Sequence, residues 1–121
     1  MSRSKQARMR EFPPAVRKLI ISRDRGCCIF CAHEYHMEDT NWYGRHMYSI
    51  MHYIPRSHNG MGIAKNGALG CQCHHEMLDN GNKGRRAEML EIFKAYLQRQ
   101  YPDNWSEDEL VYSKWRQYES R

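Results

Sequence analysis

Apolar residues recur at helical spacing near both ends of the chain and alternate loosely between them, which predicts the element order. Pro13 and Pro14 suit a helix start, and Val16, Leu19 and Ile20 follow at three- and four-residue intervals. Gly26 then stands where a residue free to adopt positive φ stops a helix. Residues 32–45 show neither period, which predicts a loop or irregular insertion. Over 46–54 Tyr, Met and Ile alternate with polar positions, predicting a strand that Pro55 ends. The stretch 57–62 has turn composition, a second short strand or extended loop is expected over 63–69, and a helix should begin around Cys73. Beyond a break at 80–84, Leu90, Phe93 and Leu97 mark one face of a helix over 85–100, with Met89, Ile92 and Tyr96 beside them. Tyr101-Pro102 ends it. Ser106 and Glu109 then form a capping-box pattern for a short final helix carrying Leu110, Val111 and Trp115.

At 121 residues, 40% of them hydrophobic, these elements suit one domain with a thin core spread over Met, Tyr and Trp as much as Leu, Ile and Val. Chains of this kind often lean on a bound metal. Nineteen Lys+Arg against 14 Asp+Glu give a net charge of +5, a balance that favours polyanionic partners. Arg3, Lys5, Arg8 and Arg10 make residues 1–12 a basic, flexible arm, either a solvated tail or a segment that follows a phosphate backbone. Residues 13–121 form the domain, with its core over 46–80 and C-terminal helices over 85–116. The first ten residues carry no apolar leader, and no apolar run approaches membrane-spanning length. Five cysteines are an odd number, so a disulfide framework is not expected; a reducing cytoplasm, with thiols as metal ligands, is.

Two half-sites carry that metal chemistry. Cys28-x-x-Cys31 and the cluster Cys71-Gln72-Cys73-His74-His75 supply thiolates and imidazoles with the two-residue spacers of zinc knuckles. The second half admits two ligand sets, Cys71 with Cys73 or Cys71 with His74. His33 and His36 in the irregular stretch read as surface histidines.

The stretch 51–79, MHYIPRSHNGMGIAKNGALGCQCHHEMLD, orders a His, a Gly-rich turn, an Asn and a Cys/His cluster opening a helix. In this it resembles the HNH endonuclease family, over residues 16–79, and the downstream segments are similar to small HNH proteins encoded by phages. The resemblance implies a small α+β fold, an HNH (ββα-metal) motif with a structural zinc knuckle, flanked by N- and C-terminal helices. It favours zinc on Cys28, Cys31, Cys71 and His74. That choice keeps the two-residue spacer and the family's five-residue interval from Asn66 to the first cysteine. It also sets Asp79 four residues after His75 on one helix face.

By the same resemblance His52 is the general base, Asn66 bridges the two arms of the motif, and His75 binds the catalytic metal. Met51 departs from the family, which usually has a metal-binding Asp or His there; a thioether is a poor ligand for Mg²⁺ or Mn²⁺. The catalytic metal, Mg²⁺ or Mn²⁺ with Ni²⁺ as a third candidate, is therefore expected on His75 and Asp79. The implied activity is hydrolysis of double-stranded DNA, leaving 5′-phosphate and 3′-hydroxyl ends. A phage setting would add genome packaging, with packaging proteins as partners, or a mobile nuclease. Arg56 and His58 follow the base and could contact phosphates; Arg45, Lys65, Lys83, Arg85 and Arg86 could form a basic rim. The competing class is a non-catalytic, zinc-stabilised DNA-binding module.

Overall fold

Proline and glycine place the first element. Pro14 opens α1 (Pro14–Arg23), where the missing N–H has no partner to lose, and Arg25 and Gly26, both at positive φ, end it. The computed structural model describes residues 8–81 and 84–113. Next, α2 (Ile29–Ala32) is a single turn beginning on Cys28, whose sulfur accepts the Cys31 N–H. The stretch expected as a loop holds a 3₁₀ turn, Met37–Asp39, and α3 (Trp42–Arg45). Asn41 caps α3 by accepting the Gly44 N–H at 2.8 Å. Elements this short show no period, which is why the pattern reads as irregular.

β1 (Tyr48–His52) and β2 (Gly67–Cys71) pair antiparallel, Tyr48 opposite Cys71 and His52 opposite Gly67. The second strand therefore starts four residues later than the 63–69 expectation. Residues Ala64–Asn66 form a 3₁₀ turn that buries the Asn66 side chain. From β2 the chain passes directly into α4 (Gln72–Asn80), with the Cys71 sulfur accepting the His74 N–H. Gly81 closes α4 at φ 59°, and α5 (Arg86–Gln100) follows.

The architecture is mixed α+β, with five helices around one two-stranded antiparallel sheet among the described residues. α1 and α2 lie on β2, while α4 contacts both strands and α5. The larger core gathers Phe30, Met51, Met77, Leu78 and Leu110 with Met89, Phe93 and Leu97 of α5. A smaller one holds Ile20, Ile50 and Leu69, with Phe12 and Val16 against it. Strand alternation divides β1 between them, Met51 to one and Ile50 to the other. Burying a ring such as Phe93 is worth about 2–3 kcal/mol. Buried Asp24 ties the layers: its carboxylate accepts the Leu69 N–H at 2.7 Å, Arg23 Nε at 2.7 Å and the Tyr96 hydroxyl.

Three expectations need correction. Leu19 is 55% exposed, because Val16 and Ile20, not Leu19, point at β2. The final helix is only a 3₁₀ turn, Glu107–Leu110, with no side-chain cap from Ser106; Val111 leaves it extended and bridges Gly60. Trp115 and the rest of the helix expected to 116 lie outside the described residues. The arm also fails as a free tail over 8–12. Its Met9 carbonyl accepts the Gly62 N–H at 2.9 Å, and Phe12 lies against the smaller core. Residues 1–7 are outside the described part. No helix among the described residues is long and apolar enough to cross a membrane.

Candidate functional site

Four ligand atoms converge where α2 meets the junction of β2 and α4. Cys28, Cys31, Cys71 and His74 bring them within 4.8 Å of one another. Cys71 Sγ lies 3.3 Å from His74 Nδ1 and 3.7 Å from Cys31 Sγ. His74 Nδ1 is also 3.5 Å from Cys31 Sγ and 3.7 Å from Cys28 Sγ. A tetrahedral zinc with bonds of about 2.3 Å to sulfur and about 2.0 Å to nitrogen gives edges of about 3.8 Å between sulfurs and about 3.5 Å from sulfur to nitrogen. The observed separations lie close to those edges.

The other ring nitrogen of His74, Nε2, is 2.6 Å from the Tyr35 carbonyl and so carries the proton, leaving the Nδ1 lone pair facing the sulfurs. The four residues can hold one metal ion, and their donor set suits structural zinc. Among the thiols, Cys71 is held down at about 3, first by the neighbouring Cys28 thiol and then by His74, whose backbone N–H it accepts at 3.4 Å. Cys28 is pushed up, first by Cys71 beside it and then by burial, and burial pushes Cys31 up to about 11. Metal binding here would displace the remaining thiol protons. Cys73 stays outside the cluster, its thiol 4.0 Å from the Asn41 carbonyl, and Cys27 turns to the Cys28 carbonyl at 3.4 Å.

One residue beyond His74, roughly 100° further round α4, His75 faces a separate cleft of about 460 Å³. His52 from β1 and Asp79 from α4 line the same cleft, and Arg17, Arg56 and Arg86 ring it. His75 Nδ1 is 2.6 Å from Ser49 Oγ, while its Nε2 is 3.3 Å from Asp79 Oδ2. Neighbouring ligands of an octahedral divalent cation sit about 3 Å apart, so Nε2 and the carboxylate can share one ion, with its other positions left to oxygens.

His52 is fixed from behind. Its Nε2 lies 2.7 Å from the Arg10 carbonyl and so carries the proton, which leaves Nδ1 as the basic atom. Phe12 packs on the ring at 4.3 Å between centroids. Burial lowers the His52 pKa below its ordinary 6.5; Arg56 and His75 act in the same direction, and the Arg10 carbonyl and Asp79 oppose it. His52 is therefore neutral at pH 7.

Asn66, fully buried, holds the loop that follows His52. Its Oδ1 accepts the Ile54 N–H at 2.8 Å, and its Nδ2 donates to the carbonyls of Met61 at 2.8 Å and Ile54 at 3.1 Å. Two glycines admit the 8–12 segment. A Cβ on Gly62 would stand 1.9 Å from the Glu11 carbonyl oxygen, and one on Gly67 would stand 2.6 Å from the Phe12 ring.

Of the residues singled out from sequence, His52, His75, Asp79, Arg56 and Arg86 share the cleft, and Asn66 supports it from within. Others are elsewhere. Lys65 donates to the Asn104 carbonyl at 2.6 Å and faces Glu109 at 3.7 Å, so the C-terminal segment holds it away. Arg85 pairs with Asp39 at 2.5 Å, Arg45 donates to Thr40 at 2.8 Å, and His58 stays exposed beside Ser57. None of these four lines the cleft, and Lys83 lies outside the described residues. Met51 is fully buried in the larger core and offers the cleft no atom. Sequence reasoning missed Arg17, Ser49, Phe12 and the Arg10 carbonyl. A serine on an edge strand carries no signal until α4 is laid over it, and a backbone carbonyl leaves no mark in a sequence at all.

Comparison of the chain with protein-family models, curated proteins and solved structures found no match.

Proposed function

We propose that the cleft is a metal-dependent site of HNH type that hydrolyses DNA phosphodiesters. The observation carrying this reading is that His52, His75 and Asp79, brought from a strand and a helix, line one cleft ringed by three arginines. The arginines bind phosphates along the strand. His52 Nδ1 takes a proton from a water whose oxygen bonds to phosphorus, and the P–O3′ bond breaks as the 3′ oxygen is protonated from solvent. A divalent cation such as Mg²⁺ or Mn²⁺, when held by His75 and Asp79, would supply charge stabilisation at the phosphate. Ser49 orients the His75 ring, and Asn66 keeps the His52 loop in register.

A second reading, a zinc-stabilised module that binds DNA without cutting it, is favoured by one observation: Met51 lies in the core, so the position just before His52 offers a cation no ligand. Plasmid incubated with Mg²⁺, Mn²⁺ or Ni²⁺, against protein with no added cation, separates the two. Nicking or cutting is expected, and His52→Ala should slow it about 100- to 10,000-fold, the usual worth of a general base. Unchanged cutting in that variant would remove His52 from the mechanism; binding without any cutting would establish the module.

A further inference from the structure

A second, smaller pocket of about 290 Å³ adjoins the cleft and shares His75 and Asp79 with it. Its apolar wall is Met47 and Tyr48, which are 57% and 49% exposed, and Gln72 and Glu76 stand at its polar edge. We propose that this pocket receives an unpaired nucleobase of the strand whose phosphate lies at His75 and Asp79. The site would then prefer single-stranded or locally unpaired polynucleotide over intact duplex. This deepens the nuclease reading above and rests on it for the position of the phosphate.

Three features support that occupant. The shared residues come first. A group in the pocket is the immediate neighbour of whatever binds His75 and Asp79, and in a nucleotide one sugar joins base to phosphate. Size is second. The volume matches the lower end of small-ligand sites, about 300 Å³, which suits one flat heterocycle and not the helix or strand of a protein partner. Chemistry is third. An aromatic ring and a thioether offer a stacking face that any base can use. The Gln72 amide donates to the Glu76 carboxylate at 3.2 Å, which leaves its second N–H and the remaining carboxylate lone pairs for the edge of a base.

Charge supports the same occupant, because Arg17, Arg56 and Arg86 on the cleft side suit the flanking phosphates. A base inside an intact duplex is already stacked and paired, and could enter only by flipping out, which costs free energy.

The test measures binding, not cutting. Full-length, zinc-loaded His52→Ala protein in Mg²⁺ is titrated into one fluorescent oligonucleotide, as single strand and as duplex, in parallel with the same protein carrying Tyr48→Ala, Tyr48→Phe or Met47→Ala. Single strand should bind at least about 10-fold tighter than duplex, and Tyr48→Ala should weaken it by about 10-fold, the scale of one stacked base. Tyr48→Phe should bind as the parent does, and duplex affinity should barely move in any variant. Zinc content and melting temperature confirm that each variant is folded; Met47→Ala carries the test should Tyr48→Ala not fold.

Duplex bound as tightly as single strand would overturn the proposal, as would equal losses on both forms. Affinities that ignore Tyr48 altogether would assign this surface to another partner, such as a protein. The two readings fail separately. Tyr48-dependent binding of single strands by a wild-type protein that never cuts would keep the pocket and end the nuclease. Cutting of duplex and single strand alike, indifferent to Tyr48→Ala, would do the reverse.

Discussion

Two contacts decide what His52 can do: a carbonyl on one ring nitrogen and an aromatic ring over its face. The carbonyl selects the tautomer, and burial keeps the ring neutral. Because burial lowers its pKa, His52 takes up its proton only below pH 6.5, and the acid limb of the cleavage rate should fall below that value. The sign for stability is the same. The unfolded chain takes up this proton first as pH falls, so the folded state is favoured above pH 6.5 and loses that contribution as pH drops through the lowered value. A single-turnover pH–rate profile checks the first point; an acid limb above pH 6.5 would contradict it.

At the scale of elements, the 8–12 segment matters more than its composition suggests. It supplies the carbonyl and ring that hold His52, and Arg10 Nη1 also donates to the Arg56 carbonyl at 2.9 Å, joining the segment to the arginine that lines the cleft. Phe12→Ala opens the ring to water and removes buried apolar surface, which should cost about 2–4 kcal/mol in denaturant unfolding. It should also move the acid limb up towards pH 6.5 and slow cleavage by up to about 100-fold through lost orientation. Phe12→Leu, which keeps the burial, should move the limb much less. Equal limbs in the two variants would mean that Phe12 serves packing alone.

For the whole molecule, the Cys/His cluster joins α2 to the turn from β2 into α4, and the cleft is built on the same helix. Structural zinc contributes on the order of 10 kcal/mol to folding, comparable with the entire stability of an ordinary domain, about 5–15 kcal/mol. Elemental analysis should find one zinc per chain. Cys71→Ser should lose it and unfold, whereas Cys73→Ser should keep it and melt close to the parent. A Cys73→Ser protein without zinc would move the ligand set to the thiol pair and free His74.

The sequence by itself determined the parts whose signal is local. Knuckle spacing marked Cys28, Cys31 and Cys71 and left Cys73 or His74 as the fourth ligand; the 3.6-residue period marked α1 and α5; proline, glycine and capping residues marked most of the breaks. Such features depend on neighbours within a few positions, so a chain can be read for them directly. Tertiary structure alone decided which side chains meet across long separations. It buried Met51 instead of turning it to the cleft, drew Lys65 and Arg85 to other partners, brought Arg17 and Ser49 in, and docked the supposed arm behind His52. Those outcomes depend on which face of the two-stranded sheet each residue occupies and on how α4 crosses it, and no periodicity along the chain encodes either.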